Sequence, residues 1–372
     1  MSGHRKIIII GGGLAGLTSA ILLQKEGFEI TVFEKKQYPF HRVCGEYISN
    51  EVLPFLQSLN IPLSDLGSSQ INRLQITTEK GREHFADLEM GGFGLSRYKL
   101  DDSLFQYAQK LGVTFLFEKV IDIQFQNSEF EIISENGVHN STIAIAAHGK
   151  RSNLDQKLKR NFFYKRSPYL GVKYHIKTDL PDNLIRLDNF RGGYSGVCKI
   201  EDQKFNLCYL SETSNLKKYK GIPEMEEHVL YKNPFLKHLF KNSDFLSGKP
   251  EVINEISFGP KSLIEDHLLF CGDSAGMITP LCGNGMAIAF HSAKMLSECI
   301  IKSWSQHRFD RQGLEQEYTD RWTKEFSLRL KSGRIIQRLF GNPFLSEIAL
   351  AALNTLPVLN KIIVKKTHGN AF

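Results

Sequence analysis

A chain of 372 residues, 41% hydrophobic and 23% charged, can bury one large core or two smaller ones, which excludes a disordered or fibrous protein. A net charge of +7 scattered along the chain is too weak and too dispersed for a nucleic-acid stripe, so no nucleic-acid partner is expected; the densest basic group, Lys157 to Arg166, reads as a solvated face. Six cysteines without C-x-x-C or zinc-like spacing, no signal peptide and no uninterrupted apolar span predict free thiols, no metal site and a cytoplasmic location.

In chain order, Lys6 to Ile10 reads as a buried strand. Gly11, Gly13 and Gly16 follow at G-x-G-x-x-G spacing. Leu17 to Gly27 reads as a helix, and Glu29 to Phe33 as a second strand tipped by Glu34. Together these parts predict a dinucleotide-binding unit. Gly11 allows the tight turn, Gly13 lets backbone approach a pyrophosphate, and Gly16 lets helix pack on strand. Glu34 is placed to accept hydrogen bonds from an adenosine ribose. The helix start adds free N–H groups and a positive dipole end.

Tyr38 to Ser49 is a loop carrying His41, Arg42, Cys44, Gly45 and Glu46, followed by a short helix over Glu51 to Leu59. Residues 71–79 and 82–88 form a predicted hairpin around Gly81. Leu95-Ser96-Arg97 leads into a helix over Lys99 to Leu111. Strands follow at 113–117, 120–125, 130–134 and 142–147, the last ending in Ala147-His148-Gly149. Four strand-like runs between Leu170 and Leu210 predict an antiparallel sheet suited to substrate. Residues 211–247 are mostly helical, and strands return at 256–260 and 267–271. Gly272-Asp273-Ser274-Ala275-Gly276 and Gly283-Asn284-Gly285 then open a helix from Met286 to about Trp304, and a helical tail runs from Arg308 to Val364.

A NAD-dependent dehydrogenase accounts for the first glycine turn but not for the second. A second glycine-rich turn with Asp273 at a strand tip suits a long cofactor gripped at two points, as FAD would be. Its pyrophosphate would lie on the first helix and a ribityl hydroxyl on Asp273. The helix start at Gly283 and Gly285 would face the flavin pyrimidine edge, where reduced flavin carries negative charge. A non-catalytic flavin-binding protein is the other alternative.

The pattern resembles the aromatic-hydroxylase-type flavoproteins, and within them the geranylgeranyl reductase branch, which is itself similar to flavin-dependent monooxygenases. The resemblance rests on Gly11, Gly13, Gly16 and Glu34, on Pro39 to Glu46, on Ser96-Arg97 with Asp101, and on Cys271 to Gly276 through Pro280 to Gly285. It implies an α/β fold: a Rossmann-like FAD-binding domain with an inserted antiparallel substrate sheet and a helical C-terminal region. The implied divisions are 1–165 for FAD with a hairpin insertion near 71–90, 166–254 for substrate, 255–300 for FAD again, and 301–372 for a helical cap. It implies NAD(P)H as reductant, Arg42 and Arg97 as FAD contacts, and Cys44 beside the flavin ring as the catalytic candidate. The expected activity is monooxygenation or double-bond reduction of a hydrophobic small molecule, lipid-, isoprenoid- or polyketide-like.

Two departures from the family pattern stand out. His148-Gly149 replaces the Asp-Gly of many hydroxylases, which leaves the reductant open; His148, like His41, reads as structural. The Trp-x-Trp of flavin halogenases is absent, the only tryptophans being Trp304 and Trp322, which disfavours halogenation. In the tail, Leu345, Ile348, Ala349, Ala352, Leu353, Leu356, Leu359, Ile362 and Ile363 recur at near-helical spacing, broken at Pro357 and followed by Lys365-Lys366. This stripe reads as a buried cap, with peripheral membrane contact as the alternative.

Overall fold

The computed structural model describes residues 5–165, 168–279, 281, 283–304, 309–355 and 369–372. Strand β1 (Lys6–Ile10) carries four successive isoleucines, all buried, as expected of a strand covered on both faces. The chain turns at Gly11 into helix α1 (Leu14–Lys25) and returns as β2 (Glu29–Phe33), parallel to β1 with Ile9 opposite Val32. On the other side of β1 lies Ile143–Ala146, also parallel, then Leu268–Phe270. The six-stranded sheet therefore runs Ile264–Glu265, Leu268–Phe270, Ile143–Ala146, β1, β2, Thr114–Leu116, with only the first strand antiparallel. This is the predicted Rossmann-like sheet, and both glycine turns leave it from the C-terminal ends of parallel strands, β1 and Leu268–Phe270, with Ile143–Ala146 between them, at the end where such sheets bind ligands.

A nine-stranded, mostly antiparallel sheet makes the second layer. It contains β3 (Ser69–Thr77), β4 (Glu83–Gly94), β5 (Tyr169–Lys177), β6 (Leu184–Phe190), β7 (Gly193–Lys199) and β8 (Phe205–Glu212). The order is Asp244–Phe245, β5, β8, β7, β6, β3, β4, Tyr47–Ser49, with Glu251–Ile256 also pairing β5. Strand β3 lies parallel to β6, with Ile76 opposite Leu187, so the hairpin of residues 69–94 is part of the substrate sheet itself. An isolated two-stranded hairpin would be marginal, and β6 supplies the missing neighbour. Behind this sheet, helices Ile222–Val229 and Pro234–Asn242 cover a separate apolar cluster that includes Leu170, Leu207, Met225 and Leu236.

The helices join the layers. Arg97–Lys110 (α2) follows the hairpin, and α3 (Gly285–Trp304) packs in the same core as α1. Helix α4 (Arg311–Leu339) buries Tyr318, Trp322 and Phe326. Helix α5 (Pro343–Thr355) lies across the nine-stranded sheet with Leu350 and Leu353 inside; Phe344 and Ile348 stay outside, 72% and 52% exposed. The rest of the predicted apolar stripe, from Leu356 through Pro357 to Lys365-Lys366, lies outside the described residues. No helix among the described residues is long and apolar enough to cross a membrane. One expectation is corrected: in the segment read as a solvated face, Arg160 is buried and ion-paired with Asp155, and Phe162 is buried beside it.

Candidate active site

The first glycine turn is built as its spacing predicts. Gly11 has φ +108°, and a Cβ there would lie 2.4 Å from the Ala147 carbonyl oxygen. A Cβ at Gly16 would lie 1.9 Å from the Gly11 oxygen, so Gly16 is small because strand and helix touch. Gly13 differs. Its nearest neighbour would be Arg97 Nη2 at 3.7 Å, an ordinary contact, so protein packing does not require glycine there. Gly13 is also the N-cap of α1 and offers no side-chain acceptor, which leaves the first-turn N–H groups for an anion.

Charged groups surround this turn. The Glu34 carboxylate accepts from Gly12 N at 3.1 Å, Lys36 N at 3.1 Å and Arg42 Nη2 at 3.0 Å. Arg42 reaches on to Asp101 at 3.1 Å, and Arg97 meets the same carboxylate with Nε at 2.6 Å and Nη2 at 2.7 Å. Asp101 thus holds both predicted arginines. Two acids fix the helix start: Glu201, not singled out from sequence, accepts from Ser96 N at 2.8 Å and Ser96 Oγ at 2.6 Å, and Glu46 of the Cys44 loop accepts from Arg97 N at 3.0 Å.

The second glycine turn is tied to the Ala147-His148-Gly149 turn. Gly149 N donates to Ser274 Oγ at 2.9 Å, and Arg160 Nη2 donates to the Ser274 carbonyl at 3.0 Å. Arg160 Nη1 pairs with Asp155 at 2.8 Å, and Asp155 lies 3.2 Å from His148 Nε2. Burial lowers the His148 pKa, against the pull of the Asp155 carboxylate. The Asp273 carboxylate has no hydrogen-bond partner among the described residues, and burial pushes its pKa up. Lys261, whose pKa burial lowers to about 8, donates to the Asp273 and Lys150 carbonyls.

Both turns open into one cavity of about 730 Å³. Gly11, Gly13, Glu34, Arg42 and Arg97 line it together with Cys44, Asp273, Gly283 and Gly285. Apolar side chains complete the lining: Ile76, Leu187 and Ile253 from the nine-stranded sheet or its edge, and Leu350 and Leu353 of α5 as a roof. Of the site residues drawn from sequence, only Gly16 does not line the cavity, in keeping with its packing role. Burial raises the Cys44 pKa, against the pull of the Arg97 guanidinium, so the group in the cavity is a thiol. His41 lines the rim and stacks on Tyr98, ring centroids 4.6 Å apart. Missed from sequence were Lys173 and His175, which pair with Glu46; their spacing of two on a strand, which puts both on one face, was the available signal.

A model of NAD(P)-binding Rossmann-like domains matches residues 9–46. Tryptophan 2-halogenase of Chondromyces crocatus is 24% identical over 324 residues, which cover 80% of this chain and 61% of that protein. The chain therefore spans less than two thirds of the halogenase. Digeranylgeranylglycerophospholipid reductase 1 of Methanopyrus kandleri is 23% identical over 374 residues, covering 92% of each chain. Among solved structures, that of the flavin-dependent brominase Bmp2 superposes with a TM-score of 0.79 at 18% identity, covering 97% of this chain and 92% of that one. None of the described residues lining the cavity here is a tryptophan. In sequence this chain is thus similar to a tryptophan halogenase and a digeranylgeranylglycerophospholipid reductase, and its fold is that of the flavin-dependent brominase.

Proposed function

We propose that the protein binds FAD between its two glycine turns and reduces a double bond of a hydrophobic small molecule held against the nine-stranded sheet. The observation that carries this reading is the single cavity joining a phosphate-type helix start, at a glycine that packing does not require, to an apolar chamber. The residues fit the cofactor. The start of α1 and the two arginines suit a pyrophosphate, and the unpartnered Asp273 carboxylate suits ribityl hydroxyls. Bound flavin supplies a two-electron carrier, reloaded by NAD(P)H. The chain supplies the rest. The apolar roof excludes water, and Cys44 keeps a proton on sulfur inside the cavity, where a double bond that gains hydride also needs a proton. Monooxygenation is the competing reading.

The deciding experiment identifies the released cofactor and reduces the protein without oxygen, using NADH and NADPH separately. The reduced protein is then offered an isoprenoid alkene or oxygen. Anaerobic reoxidation by the alkene, giving a saturated product, is expected. An oxygenated product formed only with oxygen would establish the monooxygenase reading, and tight NAD without flavin would restore the dehydrogenase.

Two further results are expected. Arg97→Ala should weaken FAD retention roughly tenfold to a hundredfold, the worth of a charge-assisted hydrogen bond, while substrate preference stays unchanged. Equilibrium dialysis and competition between substrates measure the two effects. For α5, the roof reading expects the intact protein to stay in the supernatant when sedimented with anionic liposomes at low salt. Co-sedimentation abolished by replacing the exposed Phe344 and Ile348 with serine would instead make α5 a membrane entry helix.

A further inference from the structure

The loop from Arg42 to Glu46 is held by side chains from three strands of the opposite sheet. Lys173 Nζ, on β5, donates to the Arg42 carbonyl at 3.1 Å and forms an ion pair with Glu46 Oε1. His175, two residues on, meets Glu46 Oε2 at 2.8 Å. Asn206 Nδ2, on β8, donates to the Cys44 carbonyl at 3.1 Å, and Cys198 Sγ, on β7, to the Gly45 carbonyl at 3.6 Å. Glu46 is completely buried and Lys173 nearly so. Glu46 also has φ +54°, a left-handed conformation that a non-glycine residue keeps only when its surroundings over-determine it.

We propose that Glu46, clamped between Lys173 and His175, is a positioning residue for Cys44: it fixes the loop so that the sulfur faces the cavity, and it offsets the Lys173 charge felt there. The geometry has two parts. The strained backbone of Glu46 turns its own N–H toward the Cys44 sulfur, where it stabilises the thiolate form. The carboxylate oxygen that takes Lys173 also takes the Arg97 N–H, so one group fixes both the thiol loop and the helix that brings the guanidinium into the cavity. A buried ion pair is a poor source of net stability, which leaves orientation and local charge as its contribution here.

The charges around the sulfur make the proposal measurable. Burial dominates the raised Cys44 pKa. Arg97 on α2 and Lys173 on β5 favour the thiolate, and the Glu46 carboxylate opposes it. Cys208 on β8 and Cys198 on β7 are the other titratable neighbours. Around Glu46 itself, burial works to raise the pKa, but Lys173 and then His175 outweigh it and the carboxyl ends below its ordinary range. His41 and Glu251 stand at the rim of the same cluster. Glu46 therefore stays ionised, and its charge cancels that of Lys173.

The inference rests on the proposed function only for the purpose of Cys44; its test does not use flavin chemistry. Iodoacetamide labelling of Cys44, followed by peptide mass spectrometry from mildly acidic to alkaline pH, is run on the protein as purified. In Glu46→Gln the rate–pH curve should move toward acid by about one unit, making Cys44 about tenfold faster near neutrality. Lys173→Met should move it the other way, and the double variant should return near the wild-type curve. A purely structural role would speed labelling in all three variants without moving the midpoint, worst in the double, and would overturn the proposal. Should Glu46→Gln fail to fold, recovery of a folded protein with the wild-type midpoint in the double variant supports the proposal, and its absence refutes it. FAD content measured on the same samples reports the flavin reading separately. Flavin-free wild-type protein would sink that reading and leave the Cys44 curves interpretable.

Discussion

Gly13→Val should purify folded but without flavin. The reason lies in what surrounds residue 13. A Cβ there meets only Arg97 Nη2 at 3.7 Å, so the protein itself has room for it. The two γ-methyl groups would project into the space in front of the α1 N-terminus, where the pyrophosphate is proposed to lie. Gly16→Val makes the control. Its Cβ would sit 1.9 Å from the Gly11 carbonyl oxygen, so it should disrupt the turn and lower stability whether or not a cofactor binds. Flavin absorbance per protein and a thermal melt distinguish the two variants. Stoichiometric FAD retained by Gly13→Val would remove the main support for placing the pyrophosphate at this turn.

Arg160→Leu should cost about 3–5 kcal/mol of folding stability, the usual consequence of stranding one partner of a buried ion pair. Arg160 lies against Phe270, its guanidinium carbon 3.7 Å from the ring centroid, and its nitrogens satisfy Asp155 and the carbonyls of Ser262 and Ser274. Leucine would fill some of the volume, take this donor from the two carbonyls and leave the charged Asp155 with only Ser152 N and His148 beside it. Burial alone would raise the Asp155 pKa, but His148 and then Arg160 outweigh it and hold the carboxyl below its ordinary value of 3.8. A group shifted down in this way stabilises the fold above its unfolded pKa, and that contribution is lost as pH falls through the folded one. The deficit of the leucine variant should therefore be largest near neutrality and narrow in acid, where Asp155 is uncharged in either protein. Urea midpoints across pH measure it, and a deficit independent of pH would show that the charge of Asp155 is not the cause.

The parts of the site that could be read from sequence are those whose cause is local. Gly11 and Gly16 are glycines because neighbouring backbone touches them, and spacing along the chain reports that. The acids and bases that complete the site come from afar. Glu46 finds Lys173 127 residues away, and Ser96 finds Glu201 105 residues away. Periodicity shows which face of a strand a residue occupies, but not that a lysine on that face is neutralised from another layer. Arg160 differs, since Asp155 is only five residues away; what a basic run does not show is that this one arginine is buried against Phe270. Helix α2 starts two residues earlier than its apolar spacing predicts, because Ser96 caps it by accepting from Lys99 N. A capping box would need Glu or Gln at position 99; Glu201 takes that part from the other sheet.

The cavity draws its floor and its roof from separate stretches of the chain. The floor comes from the two glycine turns and the Cys44 loop, whereas the roof comes from one face of α5, residues 346–353. That helix is tied to the nine-stranded sheet and its hairpin: Ser346 Oγ meets Asn189 Oδ1 at 3.5 Å, Asn354 Nδ2 donates to the Glu83 carbonyl at 3.1 Å, and Arg82 pairs with Glu347 on the surface. Evolution can therefore work on the two halves at different rates. Substitutions on the inner face of α5 can remould the chamber while the glycine turns and the Cys44 loop keep their geometry. The size and shape of the chamber can thus change without any change at the helix start that faces it.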